Sequence, residues 1–126
     1  MTIQLSENRL ISDVQDAFSA GYPYLKLEFY YMQLTDPELP IRKHLPQFLS
    51  LRAAGLRDAG SIELNDEMTV EEVEALFQSR FGLNAQVSRR SGMVWLETTM
   101  TDKWTLKKQN DQGRDLSFVP QPFSVK

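Results

Sequence analysis

The 126-residue chain reads as an α+β protein, a two-layer sandwich built on a repeated strand–helix–strand unit. Three observations predict that class. Residues 3–18 and 62–77 share one pattern at a spacing of 59: Ile3/Ile62, Leu5/Leu64, Ile11/Val70, Val14/Val73 and Phe18/Phe77 match in kind, and Ser6-Glu7 lies over Asn65-Asp66. Within each copy the apolar residues pass from a period of two to helical spacing. After each helix comes an alternating stretch of strand character, at residues 23–32 and 84–99.

Ile3 and Leu5 point one way from a first short strand. Leu10, Ile11, Val14, Ala17 and Phe18 predict a helix over residues 8–20, capped by Ser6 or Asn8, with Gly21 just past its end and Pro23 beyond. In the strand from Pro23 to Met32, Leu25, Leu27, Phe29 and Tyr31 form a core face, and Tyr24, Lys26, Glu28 and Tyr30 an amphipathic one. Residues 33–60 are the least regular part, because Pro37, Pro40 and Pro46 interrupt any element. A short helix over residues 47–54, closed by Gly55, is the one element expected there.

Ile62 and Leu64 make the second copy's strand. Thr69-Val-Glu-Glu72 has the form of a capping box, and Val70, Val73, Leu76, Phe77 and Phe81 the spacing of a buried stripe. Gly82 ends that helix. Residues 84–90 and 93–99 predict a hairpin around Ser91-Gly92. A last helix is expected from Asp102 to Gln112, stopped by Gly113, with residues 114–126 as an extended tail after a single domain over residues 1–113. The arrangement expected first is a ferredoxin-like pair of split β-α-β repeats, both helices on one face, with an extra hairpin strand and a C-terminal helix. A β-grasp-like sheet around the second helix is the alternative.

The absence of cysteine excludes disulfides, thiolate metal sites and thiol catalysis. No apolar stretch approaches the roughly 20 residues of a membrane span. The first residues lack the basic start and apolar core of a signal peptide. A soluble cytoplasmic protein is therefore expected. Charge is unevenly spread: residues 1–79 carry six basic against thirteen acidic residues, whereas residues 80–108 carry six against two. Such asymmetry can attract a second copy or an acidic partner, or simply solvate two faces differently.

His44 is the only histidine, so no His–His metal site can be built, and it sits between Lys43 and Leu45 in a segment read as loop. Glu28 and Glu97 lie mid-strand on the less buried side; on adjacent strands they would share a pocket suited to acid–base work. The alternative is that each simply pairs with a cation such as Lys26 or Arg89. The six glycines are scattered singly, so no phosphate-cradling loop exists. No metal or cofactor is expected. Arg89, Arg90, Lys103, Lys107 and Lys108 near Trp95 and Trp104 suit single-stranded nucleic acid, against which stands the acidic chain as a whole.

Residues 81–112, from Phe-Gly-Leu-Asn-Ala-Gln-Val-Ser-Arg-Arg-Ser-Gly-Met-Val-Trp-Leu-Glu to Lys-Lys-Gln-Asn-Asp-Gln, resemble the C-terminal half of a group of small bacterial conserved-hypothetical proteins. The resemblance implies a bacterial source and a natural domain, and carries no activity or catalytic residue.

These features rank a non-catalytic interaction or assembly module first, one that self-associates as a homodimer or takes an unidentified protein partner. Its expected surface comprises Arg89, Arg90, Met93, Trp95, Trp104 and Lys107. On the hairpin, Val94, Leu96 and Thr98 should face one side and Met93, Trp95 and Glu97 the other. The helix-free side would then need cover from Trp104, from Phe118 and Phe123, or from a second subunit. The alternative is a small-ligand binder or enzyme with a pocket between the sheet and residues 33–60, lined by Glu28, Tyr30, His44 and Glu97. A single-stranded nucleic-acid module is the third reading.

Overall fold

The computed structural model describes residues 1–33 and 39–117. Strand β1 (Thr2–Leu5) buries Ile3 and Leu5 and leaves Thr2 and Gln4 in solvent. Helix α1 (Ile11–Gly21) buries Ile11, Val14 and Phe18 at the predicted spacing. It starts later than expected: the Leu10 N–H donates to the Asp13 carboxylate at 3.0 Å, which takes the place of a Ser6 or Asn8 cap. Gly21 is the last helical residue, because the Tyr22 N–H still donates to Phe18 O.

Strand β2 (Leu25–Gln33) buries Leu25, Leu27 and Phe29. Tyr31, expected with them, is 47% exposed; it lies past the end of the β2–β5 ladder and pairs only with Lys43 on β3. Strand β3 (Ile41–His44) was not expected in the proline-interrupted segment; four residues are too few to show a period. Residues 47–54 form turns instead of the expected helix. Their backbone groups are spent elsewhere: Leu51 N–H donates to Arg9 O (2.8 Å) and Arg52 N–H to Glu7 O (3.1 Å).

Strand β4 (Gly60–Glu63) leads into helix α2 (Val70–Phe81), which opens on the predicted capping box. Thr69 Oγ1 accepts from the Glu72 N–H, and Glu72 accepts from the Thr69 N–H, both at 3.1 Å. Gly82 closes the helix at φ +70°, where a side chain would be strained. Strands β5 (Asn84–Ser91) and β6 (Val94–Glu97) form a hairpin as expected, but its turn is Gly92-Met93, not Ser91-Gly92, with Gly92 at φ +62°, and β6 ends at Glu97 instead of running to residue 99. A short 3-10 turn (Thr99–Thr101) precedes helix α3 (Leu106–Ser117).

Helix α3 differs from expectation at both ends. Residues 102–105 do not join it, because Asp102 O and Trp104 O accept from the Glu71 and Val70 N–H groups at the start of α2. Gly113 does not stop it. A Cβ there would lie 2.9 Å from Tyr24 Cβ, so this glycine lets α3 press against β2 and β5. Residues 114–117, read as tail, are therefore helical; Pro37, Phe118, Phe123 and the remainder of the tail lie outside the described residues.

The protein is α+β with two antiparallel sheets, β1–β4 and the curled sheet β3-β2-β5-β6. The anticipated crossovers within one sheet do not occur among the described strands: β1 and β2 of the same unit belong to different sheets. Instead the two copies pair with each other. Ile3 faces Ile62, its counterpart 59 residues on, and in the β2–β5 ladder Leu27 faces Val87 and Glu28 faces Gln86, each one position from its 59-residue counterpart.

The duplication reaches further than sequence showed. Ile11 N–H donates to Leu49 O as Val70 N–H does to Trp104 O, and Leu51 N–H to Arg9 O as Leu106 N–H does to Met68 O. Ser12 to Gln47 and Arg52 to Glu7 are matched by Glu71 to Asp102 and Lys107 to Asp66. Each unit thus runs strand, helix, hairpin, and a return segment clasping its own helix start. One buried cluster joins them, with Phe29 and Phe77 meeting edge to face at 5.4 Å.

Candidate functional site

Pairing divides the curled sheet into two faces. Leu25, Leu27, Phe29, Ala85, Val87 and Arg89 face the core and α3; Lys26, Glu28, Tyr30, Gln86, Ser88 and Arg90 face the helix-free side, with Arg42 and His44 on β3 and Trp95 and Glu97 on β6. All four candidate pocket residues, Glu28, Tyr30, His44 and Glu97, therefore share one face. His44 is on a strand, and its Nδ1 lies 3.3 Å from the Glu28 carboxylate. Lys26 Nζ lies 3.9 Å from the same group.

Glu28 and Glu97 are not on adjacent strands, because β5 lies between β2 and β6. Glu97 pairs with Arg42 at 3.7 Å instead. Arg42 is the residue that sequence reasoning missed. Its guanidinium lies 4.3 Å from the centre of the Tyr30 ring and donates to Gln86 Oε1. A side chain on one edge strand that meets the other edge strand crosses three ladder spacings, about 14 Å if flat, and the curl of the sheet shortens that span. The signal available was the alternation Arg42/His44, legible only once β3 is recognised.

The six residues expected to form one partner surface separate into two groups. Arg89 points toward α3, where it donates to Gln109 Oε1 at 2.7 Å and lies 5.4 Å from the Trp104 ring. Trp104 precedes α3 and is held between Arg89 and Lys108, so it does not cover the helix-free side. Lys107 forms an exposed ion pair with Asp111 at 2.7 Å; that hydrogen bond raises the lysine pKa and lowers the carboxyl's. Arg90, Met93 and Trp95 do stay together at the hairpin. Arg90 Nε donates to Gly92 O at 2.9 Å and braces the turn.

Strand β6 is exposed along its whole length, including Val94, Trp95 and Leu96, with Met93 just before it 90% exposed and Met100, in the 3-10 turn that follows, 96% exposed. Its backbone pattern is fixed by one bond: Arg90 N–H donates toward β2, to Tyr24 O. Arg90 and its partner Trp95 therefore face each other without hydrogen bonds, and the N–H and C=O of Trp95 and, two residues on, Glu97 point outward. Among the described residues no strand pairs with that edge. The opposite edge, β3, carries Arg42 and Lys43, charges of the kind that discourage strand addition.

Comparison with protein-family models, curated proteins and solved structures found no match. The site is thus read from its own chemistry. Two open depressions lie elsewhere: one of about 490 Å³ beside Met1, Tyr22, Leu64 and Asp66, another of about 250 Å³ along α3 beside Lys107 and Asp111. Neither includes a candidate pocket residue. Among the described residues no three His, Asp or Glu side chains are placed to hold a metal, and no helix is long and apolar enough to cross a membrane.

Proposed function

We propose that this chain is a protein-interaction module working by strand addition at the β6 edge. The supporting observation is the coincidence, on four residues, of outward backbone groups at Trp95 and Glu97 with exposed Val94, Trp95 and Leu96 side chains. An added strand would satisfy the first and bury the second, the combination that gives such edges affinity and side-chain selectivity. Amide hydrogen exchange tests the reading. The Trp95 and Glu97 amides should exchange freely in dilute protein and become protected when the edge is occupied. Protection that persists at every dilution would mean that the chain covers the edge itself, and would end the proposal.

The Glu28–His44 pair favours a second reading, a small polar ligand on the concave face. Binding would require Arg42 to leave Gln86 and Glu97. A thermal-shift screen should find a ligand whose stabilisation Glu28→Gln reduces; a broad metabolite set without any shift counts against it.

A further inference from the structure

We infer that the strand received by β6 is β6 of a second copy, antiparallel about a two-fold axis, with Leu96 facing Leu96 and each Trp95 facing the other copy's Glu97. This inference rests on the strand-addition reading and adds the partner and the register. In a sheet continued across a two-fold axis, directly opposed residues lie on the same face. The pairing must therefore be centred on a residue, and β6 offers two interior choices, Trp95 or Leu96.

Hydrogen bonding separates them. Centred on Leu96, each outward-facing Trp95 meets an outward-facing Glu97, and all of their backbone groups are used in four bonds. Centred on Trp95, the outward groups of Glu97 would meet Met93, which lies in the hairpin turn. Charge favours the same choice. Lys26 Nζ lies 5.8 Å from the centre of the Trp95 ring, and Arg90 is the β5 residue beside it. Opposing two Trp95 residues would bring these cations toward their own copies. Opposing Trp95 and Glu97 sets a carboxylate beside them, while Leu96, 43% exposed, gains an apolar neighbour on the other face. The β3 edge cannot repeat this with itself, since Arg42 or Lys43 would then meet its own copy, cation against cation.

The chain has no cysteine, so one introduced thiol reports one contact. Opposed Leu96 residues form a non-hydrogen-bonded pair, with Cα atoms about 4.5 Å apart, within disulfide reach. Mild oxidation of full-length Leu96→Cys should give a covalent dimer, while Trp95→Cys and Val94→Cys give little. Light scattering of the unmodified chain should show a dimer at the same concentration. Cross-linking through Trp95→Cys instead would overturn the register. Cross-linking only when Leu96→Cys is mixed with Lys43→Cys would replace the two-fold pair by a head-to-tail array. If no thiol cross-links while the Trp95 and Glu97 amides are open in dilute protein, the second copy is wrong and edge docking stands for another strand. If those amides are protected at every dilution, both readings fall.

Discussion

Ile3 faces Ile62 across the β1–β4 ladder, and each is the other's counterpart in the duplicated unit. Both are essentially inaccessible to water, at 1% and 0% exposure. A two-stranded ladder is marginal alone, so side chains driven into the shared core hold the two units together here. Ile3→Ala and Ile62→Ala should each cost about 2–5 kcal/mol. The double variant should depart from additivity by about 0.5–3 kcal/mol, as contacting residues do. Urea denaturation of the four proteins measures this, and strict additivity would show that the ladder does not couple the units.

Gly113 gives a second prediction, opposite in sign to helix propensity. Alanine in a helix interior is favoured over glycine by about 1 kcal/mol. Here its Cβ would lie 2.9 Å from Tyr24 Cβ and 3.1 Å from Tyr24 O, and a backbone oxygen cannot step aside as a flexible side chain can. Gly113→Ala should therefore lower the melting temperature and loosen α3, with a change in Trp104 fluorescence as Arg89 and Gln109 shift. A higher melting temperature would mean that α3 can slide without loss.

Tyr22 donates to the Asp66 carboxylate at 3.0 Å. Burial first, then that bond and the nearby negative charge, push its phenol from 10.0 up to about 12. The neutral phenol is thus favoured by folding, and its contribution is present below pH 10 and lost as pH rises toward 12. Absorbance titration should show one late-ionising tyrosine. Tyr22→Phe should remove it and cost about 0.5–1.5 kcal/mol.

Glu74 accepts the Val87 N–H at 3.0 Å from a half-buried position. Burial raises its carboxyl above the ordinary 4.5, more than the bond to Val87 lowers it. The fold therefore holds this proton more tightly than the unfolded chain does, and Glu74 makes stability fall as pH rises from 4.5 through its raised value. Glu74→Gln keeps an acceptor for Val87 and removes the charge. It should erase that part of the pH dependence and raise the melting temperature at pH 7. An unchanged pH profile would show that Glu74 is not its source.

Much of the local structure was legible because it depends on neighbours in sequence. The Thr69–Glu72 box and the turn at Gly92 are fixed within a few residues, and the Ile11/Val14/Phe18 stripe repeats often enough to show its period. What escaped depends on distant partners. Strand β3 exists because residues 30–33 of β2 offer it a partner on the edge away from β5, and residues 102–105 leave the helix because α2 takes the carbonyls of Asp102 and Trp104. The spacing of 59 revealed two copies but not that they would meet face to face. His44, read as a loop residue, joins Glu28, Tyr30 and Glu97 on one face only through the β2–β3 pairing, whereas Arg89 and Arg90, neighbours in sequence, necessarily part because strand residues alternate.

Val87 ends one side of the hairpin in an unusual way. Its carbonyl accepts from the Thr98 amide and from Thr98 Oγ1, while its N–H is taken by Glu74 from a helix. Where β6 stops, side chains complete what a longer strand would have supplied. The stretch available to any newcomer is therefore brief, shorter than the six or seven residues from which fibrils template themselves. A chain so finished can leave tryptophan and leucine at a sheet margin with little hazard of runaway polymerisation, because Glu74 and Thr98 act as the stopper.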